Sequence, residues 1–467
     1  MVTVNNHYQL IIIGGGPAGL AAATIAANQG LSCAVLDEQP TLGGQIYRAI
    51  ELVSDQRAQQ LGSEYLHGRT LVEAFRESDA EYYPETRVWS LNKELEVGLL
   101  HNNETSIITA DQIIVASGAM ERPVPFPGWT LPGVMQAGAG QILFKSSGIV
   151  PENGVVLAGS GPLLLLLAWQ YLHAGVEIKA LLDVTPLRNH ITALPRLPKA
   201  LLAHHYLTKG IGYQIELKRA GIPMLFGVSE LRAEGDELLQ HVCFRHFGKQ
   251  KTIESELLMT HFGVIPHIWL TQAAGCKHQW DDSQQCWRPE HDEWGNTDIA
   301  GIIVAGDGAG INGARSAEHA GRLAGLETLF VLGIINQAER DKQAVNDRKW
   351  MKDERHIRPF LEAYFQIPKS LLATTGNDTI VCRCEEITAG QIREAVENGH
   401  DNSNQVKFFT RCGMGPCLGR QCSNAVAHIV AEASGKRVDE MGHFRGRPPV
   451  VPLTLGQLAA LGKKEIE

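Results

Sequence analysis

The chain has no C-x-x-C pair, so the dithiol chemistry of the disulfide reductases has no residues to carry it. It has no G-x-S-x-G elbow either, and hydrolysis through a serine nucleophile is excluded with it. No stretch reaches the ~18 apolar residues of a membrane span. The richest run, GPLLLLLAW, is short, follows a glycine turn and reads as the start of a buried helix. The opening MVTVNNHYQLIIIGGG lacks a basic n-region and a cleavage site, and it runs into a strand instead of a secretory signal. A basic surplus is missing as well: 42 Lys+Arg stand against 51 Asp+Glu, a net charge of −9, which excludes nucleic acid as a bulk partner. Nine cysteines, an odd number with no secretory signal, point to a reducing compartment. A cytoplasmic protein is expected, with any membrane association made through partners.

A chain of 467 residues suggests three domains at ~150 residues each. The first is announced by YQLIIIGGGPAGLAAATIAANQGLSCAVLDE. An apolar β-branched strand ends at Gly14, and Gly14, Gly16 and Gly19 follow in G-x-G-x-x-G spacing before an alanine-rich helix. The first glycine allows the tight turn, the second lets a pyrophosphate approach the backbone, and the third lets helix and strand pack closely. The helix start at Pro17 and Ala18 offers free N–H groups to phosphate. Asp37, 23 residues after Gly14, and Glu38 beside it are the acids placed to meet a ribose hydroxyl; the spacing to Gly43 favours Asp37.

TLGGQIYR then resembles the stretch that lies along the flavin in two-dinucleotide flavoproteins. IIVASGAMERP resembles the turn that closes their flavin domain, and TDIAGIIVAGDGAGINGA resembles their second flavin motif. The resemblance implies FAD contacts at Gly14, Gly16, Pro17, Ala18, Gly19, Asp37, Glu38, Gly44, Gln45, Val88, Ala116, Gly118, Gly306 and Asp307. A helix opening near Ala309–Gly313 would aim its positive end at the flavin pyrimidine ring. Between these pieces, VVLAGSGPLLLLLAWQYLHAGVEIKALLD repeats the strand–turn–helix–strand theme. Gly159, Gly161, Pro162 and Asp183 match a second nucleotide site, for NAD(H) or for an adenine nucleotide such as ATP. Leu164 replaces the third glycine and departs from the rule. The nesting predicts an α/β protein of two Rossmann-like dinucleotide-binding domains, one inserted in the other. The flavin domain is split over 1–125 and 280–335, the insert takes 126–279, and linker helices over 336–377 lead to a small helical domain over 378–467. The linker's Arg348 and Lys349 alternate with acids, which predicts a solvated helical face.

Five of the nine cysteines, Cys382, Cys384, Cys412, Cys417 and Cys422, fall in that last domain. Thiolates gathered this way suit iron–sulfur ligation, and C-x-C is a poor fit to the C-x₂₋₄-C pairs of structural zinc. The layout resembles the [2Fe–2S] domain named after bacterioferritin-associated ferredoxin (BFD-like). That resemblance assigns Cys382, Cys384, Cys417 and Cys422 as ligands and leaves Cys412 spare; Cys412 in place of Cys422 is the other assignment. Arg383, Arg411 and Arg420 flank the ligands and would offset the cluster's charge.

GGGPAGL, DEQPTLGGQIYR, VAGDGAGINGA, CRCEE, GMGPCLGRQC and FRGRPPVVPLTLGQLA occur in one order. Together they resemble the α, or large accessory, subunits of bacterial multi-subunit amine dehydrogenases. This group includes the A-type subunits of opine oxidases, the B-type subunits of hydrogen cyanide synthases and the α subunits of D-hydroxyproline dehydrogenases. The resemblance implies an oxidoreductase subunit with FAD and a [2Fe–2S] cluster. It implies a flavin-containing β subunit of glycine/D-amino-acid-oxidase type, and in some members a small ferredoxin-like γ subunit. Electrons from the oxidised amine would pass through this chain to an acceptor, with a peripheral link to the respiratory chain. A self-contained NAD(P)H-dependent flavin/iron–sulfur oxidoreductase is the competing reading.

Overall fold

The computed structural model describes residues 4–374 and 376–461. Its first sheet is built around the strand His7–Ile13, whose Leu10, Ile11 and Ile12 are fully buried. Such an unbroken apolar strand suits a parallel sheet covered on both faces. It pairs in parallel with Cys33–Leu36 on one side and with the later half of Glu104–Val115 on the other. The earlier half of that long strand instead pairs antiparallel with Glu96–His101, which pairs with Arg87–Leu91. The short strand Ile302–Val304 returns from late in the chain to join Ile113–Val115 in parallel. The first sheet is therefore completed by a segment almost 200 residues downstream of its neighbour, as the nested reading requires.

A second parallel sheet of five strands holds Met224–Phe226, Ile178–Asp183, Val155–Ser160, Leu258–Phe262 and Val134–Gln136, in that order. The chain passes between the two units on a pair of antiparallel strands, Ala119–Glu121 and Val264–Pro266, with Met120 opposite Ile265. The architecture is the α/β arrangement of two Rossmann-like units, with a helical C-terminal domain beyond them.

The C-terminal domain packs the helices Ala389–Glu397, Ser403–Thr410 and Ser423–Ser434 around Val381, Ile392, Val406, Val426, Ile429 and Phe444. Its first helix carries a full capping box: Thr388 accepts from the Gln391 N–H, and the Gln391 side chain accepts in return. Two helices bridge to it, Gln337–Glu354 and Arg358–Tyr364. The expected solvated face of the first is only partly so. Arg348 stacks on Trp294 at 4.2 Å, and Arg340 is buried on Glu327 between Trp294 and Phe330. Their long side chains cover apolar surface while their terminal nitrogens pair with acids, Arg340 with Glu327 and Arg348 with Glu293. Among the described residues, no helix is long and apolar enough to cross a membrane.

The C-terminal domain meets the first unit through the hairpin His278–Asp281/Cys286–Pro289. Trp280 packs edge-on to His428 at 5.7 Å, and Asn424 donates to the Gln285 carbonyl at 3.1 Å. His428 is buried and its Nε2 has no partner, so the neutral ring is the form that fits; burial pushes its pKa down to about 3. The unfolded chain takes up this proton below pH ~6.5 while the folded chain does not. Stability is therefore present above pH 6.5 and is lost as the pH falls towards 3. At pH 5 the loss from this group is about 2 kcal/mol. Thermal unfolding followed from pH 7.5 to 5.0 is expected to show a falling Tm, and His428→Phe to flatten that fall.

Candidate functional site

The turn after the first strand is closed by contacts that only glycine permits. Gly14 has φ +114°, and a Cβ there would lie 2.4 Å from the Ala116 carbonyl oxygen. A Cβ on Gly19 would lie 1.9 Å from the Gly14 oxygen, so strand and helix touch at this point. Gly16 differs: its φ is −83°, and the nearest atom to a Cβ is the Gly44 Cα at 3.8 Å. Space is thus kept at the one glycine where a pyrophosphate would approach. The helix Pro17–Ala27 starts there with no side-chain cap, which leaves its first N–H groups free for an anion.

The loop 41–48 folds back over this turn. Gly44 has φ +60° and sits against Gly16, while Gln45 is exposed and Tyr47 buried. A residue that the sequence reading did not single out holds the loop from the second unit. Lys145, on the helix Ala137–Ser147, is buried and donates to the carbonyls of Gln45 and Ile46 at 3.1 and 2.9 Å, and to Gln141 at 3.0 Å. Burial pushes its pKa down to about 7. A lone lysine in ILFKSSG carries no sequence signal for this contact. Arg48 is also buried, and its Nε has no partner. An unpaired guanidinium N–H beside a phosphate-type turn fits an anionic ligand.

The two acids at the end of the second strand have different surroundings. Asp37 is buried; Oδ2 accepts from the Gly15 N–H at 2.8 Å and Oδ1 from the Gln39 N–H at 2.9 Å. Burial raises its pKa to about 6 against the pull of those two donors. Glu38 is exposed and accepts from the Gln39 side-chain amide at 3.2 Å.

Val88 is buried in its strand and Ala116 lies under Gly14. Gly118, at φ +66°, faces open space, and its carbonyl accepts from the His267 N–H at 2.9 Å. Gly306 packs on Ala18, where a Cβ would be 2.9 Å from the Ala18 Cβ. Asp307 accepts from the Asn312 and Gly313 N–H groups at 2.8 and 2.9 Å, and burial raises its pKa. The 3₁₀ turn Gly306–Gly308 precedes the long helix, which opens at Ala314 with Gly313 as its N-cap. His319 on that helix is buried against Asp347 at 2.5 Å and stacks on Trp350.

In the second unit, Gly159 and Gly161 hold φ +142° and +115°, and a Cβ on Gly159 would meet the His261 oxygen at 1.8 Å. Pro162 opens the helix Pro162–His173, and Leu164 is buried in it. Asp183 is buried and accepts from the Thr185 N–H at 2.7 Å.

The cysteines fall into two groups. The sulfurs of Cys382, Cys412 and Cys422 all lie within 4.8 Å of one another and are buried. The exposed Cys384 and half-buried Cys417 interact with each other. Gly415 lets the loop close on this pair, since a Cβ there would be 2.2 Å from the Cys384 Cβ. Hydrogen bonds from the Cys412 and Cys422 thiols push the Cys382 pKa below the usual thiol range, which favours thiolate in the triad. A site that stabilises thiolate and gathers sulfur is chemically suited to a soft metal. Arg411 pairs with Glu385 at 3.0 Å and Arg383 lies 5.3 Å over Trp129. Arg420 lies 5.7 Å over Trp269 and donates to the Val450 carbonyl. Burial lowers its pKa, and the charges of Glu38 and Cys417 oppose that shift.

The contrast between the glycines is testable. Gly19→Ala forces a methyl into backbone and is expected to cost about 3 kcal/mol or more, read as a lower Tm. Gly16→Ala is expected to leave the Tm of the ligand-free protein unchanged and to abolish retention of yellow flavin absorbance on purification.

Residues 8–324 match the family of pyridine nucleotide-disulphide oxidoreductases, and residues 377–462 match the sarcosine oxidase A3 domain. The chain is 41% identical to the A-type subunit of opine oxidase from Agrobacterium tumefaciens (strain Ach5), covering 98% of this chain and 92% of that one. It is 31% identical to the HcnB subunit of hydrogen cyanide synthase from Pseudomonas aeruginosa, over 97% of this chain and 98% of that one. The alpha subunit of sarcosine oxidase from Rhizobium meliloti is 23% identical, and the match spans 42% of that longer protein. Among solved structures, L-proline dehydrogenase from P. horikoshii shares the fold, with a TM-score of 0.73 and 20% identity over 97% of this chain and 79% of that chain. With the nested Rossmann units and the cysteine domain, these matches show that the chain belongs to the family of opine oxidase A-type subunits, as a flavoprotein-type oxidoreductase subunit.

Proposed function

We propose that this chain is the FAD- and [2Fe–2S]-bearing α subunit of a hetero-oligomeric dehydrogenase that oxidises an amine or amino acid of opine, hydroxyproline or glycine type. Its electrons come from a flavin-containing β subunit; they leave towards an acceptor, and in some assemblies a small ferredoxin-like γ subunit is a further partner. The observation that carries this reading is that a dinucleotide cradle and a buried gathering of cysteine sulfurs share one chain, with the cysteine domain tied to the Rossmann units by the Val450 N–H on the Trp89 carbonyl and the Trp129 indole on the Ile380 carbonyl. FAD, when bound, takes up two electrons together, and the cluster passes them singly. The chain's own residues bind and tune. Gly14, Gly16, Gly19 and Gly44 shape the pyrophosphate cradle, with Arg48 beside it. Asp37 is braced by the Gly15 and Gln39 N–H groups and keeps a second lone pair on each oxygen for the ribose hydroxyls, with Glu38 as its exposed neighbour. Asp307 fixes the second turn, and Gly118 leaves the face in front of it open.

For the cluster, Cys382, Cys384, Cys417 and Cys422 would be the ligands: Cys382 and Cys422 lie with Cys412 in the buried sulfur triad, and Cys384 and Cys417 interact with each other. Cys412 would then be the spare thiol, with its sulfur in the same triad as those of Cys382 and Cys422. Cys412→Ser is expected to keep the electron paramagnetic resonance signal of the dithionite-reduced cluster, and Cys422→Ser to lose it. The reverse pattern would make Cys412 the ligand.

The functional reading is tested by anaerobic titration of the purified chain. NADH and NADPH are expected to leave the flavin spectrum oxidised, while dithionite reduces both centres. Addition of the co-expressed β subunit with an oxidisable amine is expected to bleach the flavin. Rapid bleaching by stoichiometric NADH would sink the proposal in favour of a self-contained NAD(P)H-dependent enzyme.

A further inference from the structure

The second Rossmann unit has the turn, helix and acid of a nucleotide site. In such a fold the ligand lies in the crevice outside the carboxyl ends of the strands, with its phosphates at the helix start. Here that crevice has protein in it. The end of the helix Arg358–Tyr364 and the residues after it run across the carboxyl ends of Val155–Ser160 and Ile178–Asp183. Ser160, the residue between Gly159 and Gly161, donates to the Phe365 carbonyl at 3.0 Å. Asn189 donates to the carbonyls of Tyr364 and Gln366 at 3.3 and 2.8 Å. The Tyr364 ring stacks on His190 at 4.6 Å, and the charge of Asp183 helps burial raise its pKa. Three successive carbonyls therefore take up the polar groups that line the adenosine side of a nucleotide site.

The segment is also anchored at both ends. Before it, Ile357, Phe360 and Leu361 pack with Ala200, Ala203, Tyr206 and Leu207. After it, Ile367, Leu371 and Leu372 pack against the core of the second unit, with Leu182, Val184 and Val228. A nucleotide entering here would have to strip Ser160 and Asn189 of their partly buried acceptors and pull apolar side chains from two clusters. Ordered backbone carbonyls left without donors are costly, so the ligand would start with a deficit.

We propose that the linker segment Tyr364–Gln366 is the resident occupant of the second nucleotide crevice and bars NAD(P)H from the chain, with Ser160 and Asn189 as the residues that hold it in place. This deepens the functional reading by giving a physical reason why the nicotinamide route is closed. It concerns binding alone, so its failure can be told apart from failure of the electron-relay reading.

The test uses the flavin-loaded full chain and ADP-ribose, which carries the adenosine diphosphate recognised by such a crevice but no redox-active ring. Wild type is expected to show no saturable binding by calorimetry in the millimolar range. Its amides over 358–372 are expected to exchange slowly with deuterium. The double variant Ser160→Ala/Asn189→Ala is expected to exchange there at least about tenfold faster and to gain saturable ADP-ribose binding. Saturable binding to wild type that slows exchange over 159–164 would overturn the proposal. So would a wild-type segment that exchanges as freely as an exposed loop, an observation that needs no variant to fold. A loosened segment that still admits no ADP-ribose overturns it as well.

Discussion

The structure depends on one close contact between two helices far apart in sequence. Pro17–Ala27 lies against Ala314–Val331 with almost nothing between the backbones. A Cβ on Gly321 would sit 2.0 Å from the Ala18 oxygen, and one on Gly325 would sit 3.0 Å from the Ala22 oxygen. The alanines of the first helix and the glycines of the second are what allow that approach. It holds Gly306 against Ala18 and brings the Asp307 turn to the mouth of the first glycine turn. Without it the two halves of the flavin domain would be separate segments on either side of an insert. The parallel pairing of Ile302–Val304 with Ile113–Val115 follows from the same closure.

Once the first unit is closed, it serves as the platform for the cysteine domain. Val450 donates to the Trp89 carbonyl at 2.7 Å, and Trp129 donates to the Ile380 carbonyl at 2.6 Å. The C-terminal tail thus reaches the antiparallel arm of the first sheet, while the strand carrying Cys382 is tied near the crossing between the units. Arg420 is the electrostatic counterpart of these ties. A guanidinium with limited access to water interacts more strongly with charge on either side than it would at the surface.

The parts legible in the sequence were those whose chemistry is local. Gly14, Gly16 and Gly19 carry their roles in their spacing, and the doubled strand–turn–helix pattern revealed the nested fold. The concentration of five cysteines was equally plain. What could not be read was which side chains meet across the chain. Asp37 and Glu38 are adjacent letters, and only the fold shows that the first is buried and braced by the Gly15 and Gln39 N–H groups while the second stays exposed. Cys412 looks spare by spacing, yet its sulfur sits with those of Cys382 and Cys422. Lys145 reaches the loop 41–48 from another unit, at a sequence distance of 100 residues from Gln45. Arg348 reads as a solvated charge because its neighbours alternate in sign, and Trp294, which it covers, lies more than fifty residues away.

The second Rossmann unit shows the same limit in its strongest form. Its glycines at positive φ and its buried strand-end acid are the local signature of nucleotide binding, and all of them are present in the fold. They are also what any tight strand-to-helix turn of this geometry requires, because a Cβ at Gly159 would strike the His261 backbone whether or not a ligand is near. The signature therefore reports the turn, and the crevice beyond it is decided by whatever the chain lays across it. Here the linker does so with carbonyl oxygens, the same kind of acceptor that a ribose or phosphate would present to Ser160 and Asn189. A binding unit and a docking unit can share one motif, and the linker's occupancy makes the second unit the support on which the path to the cysteine domain is fixed.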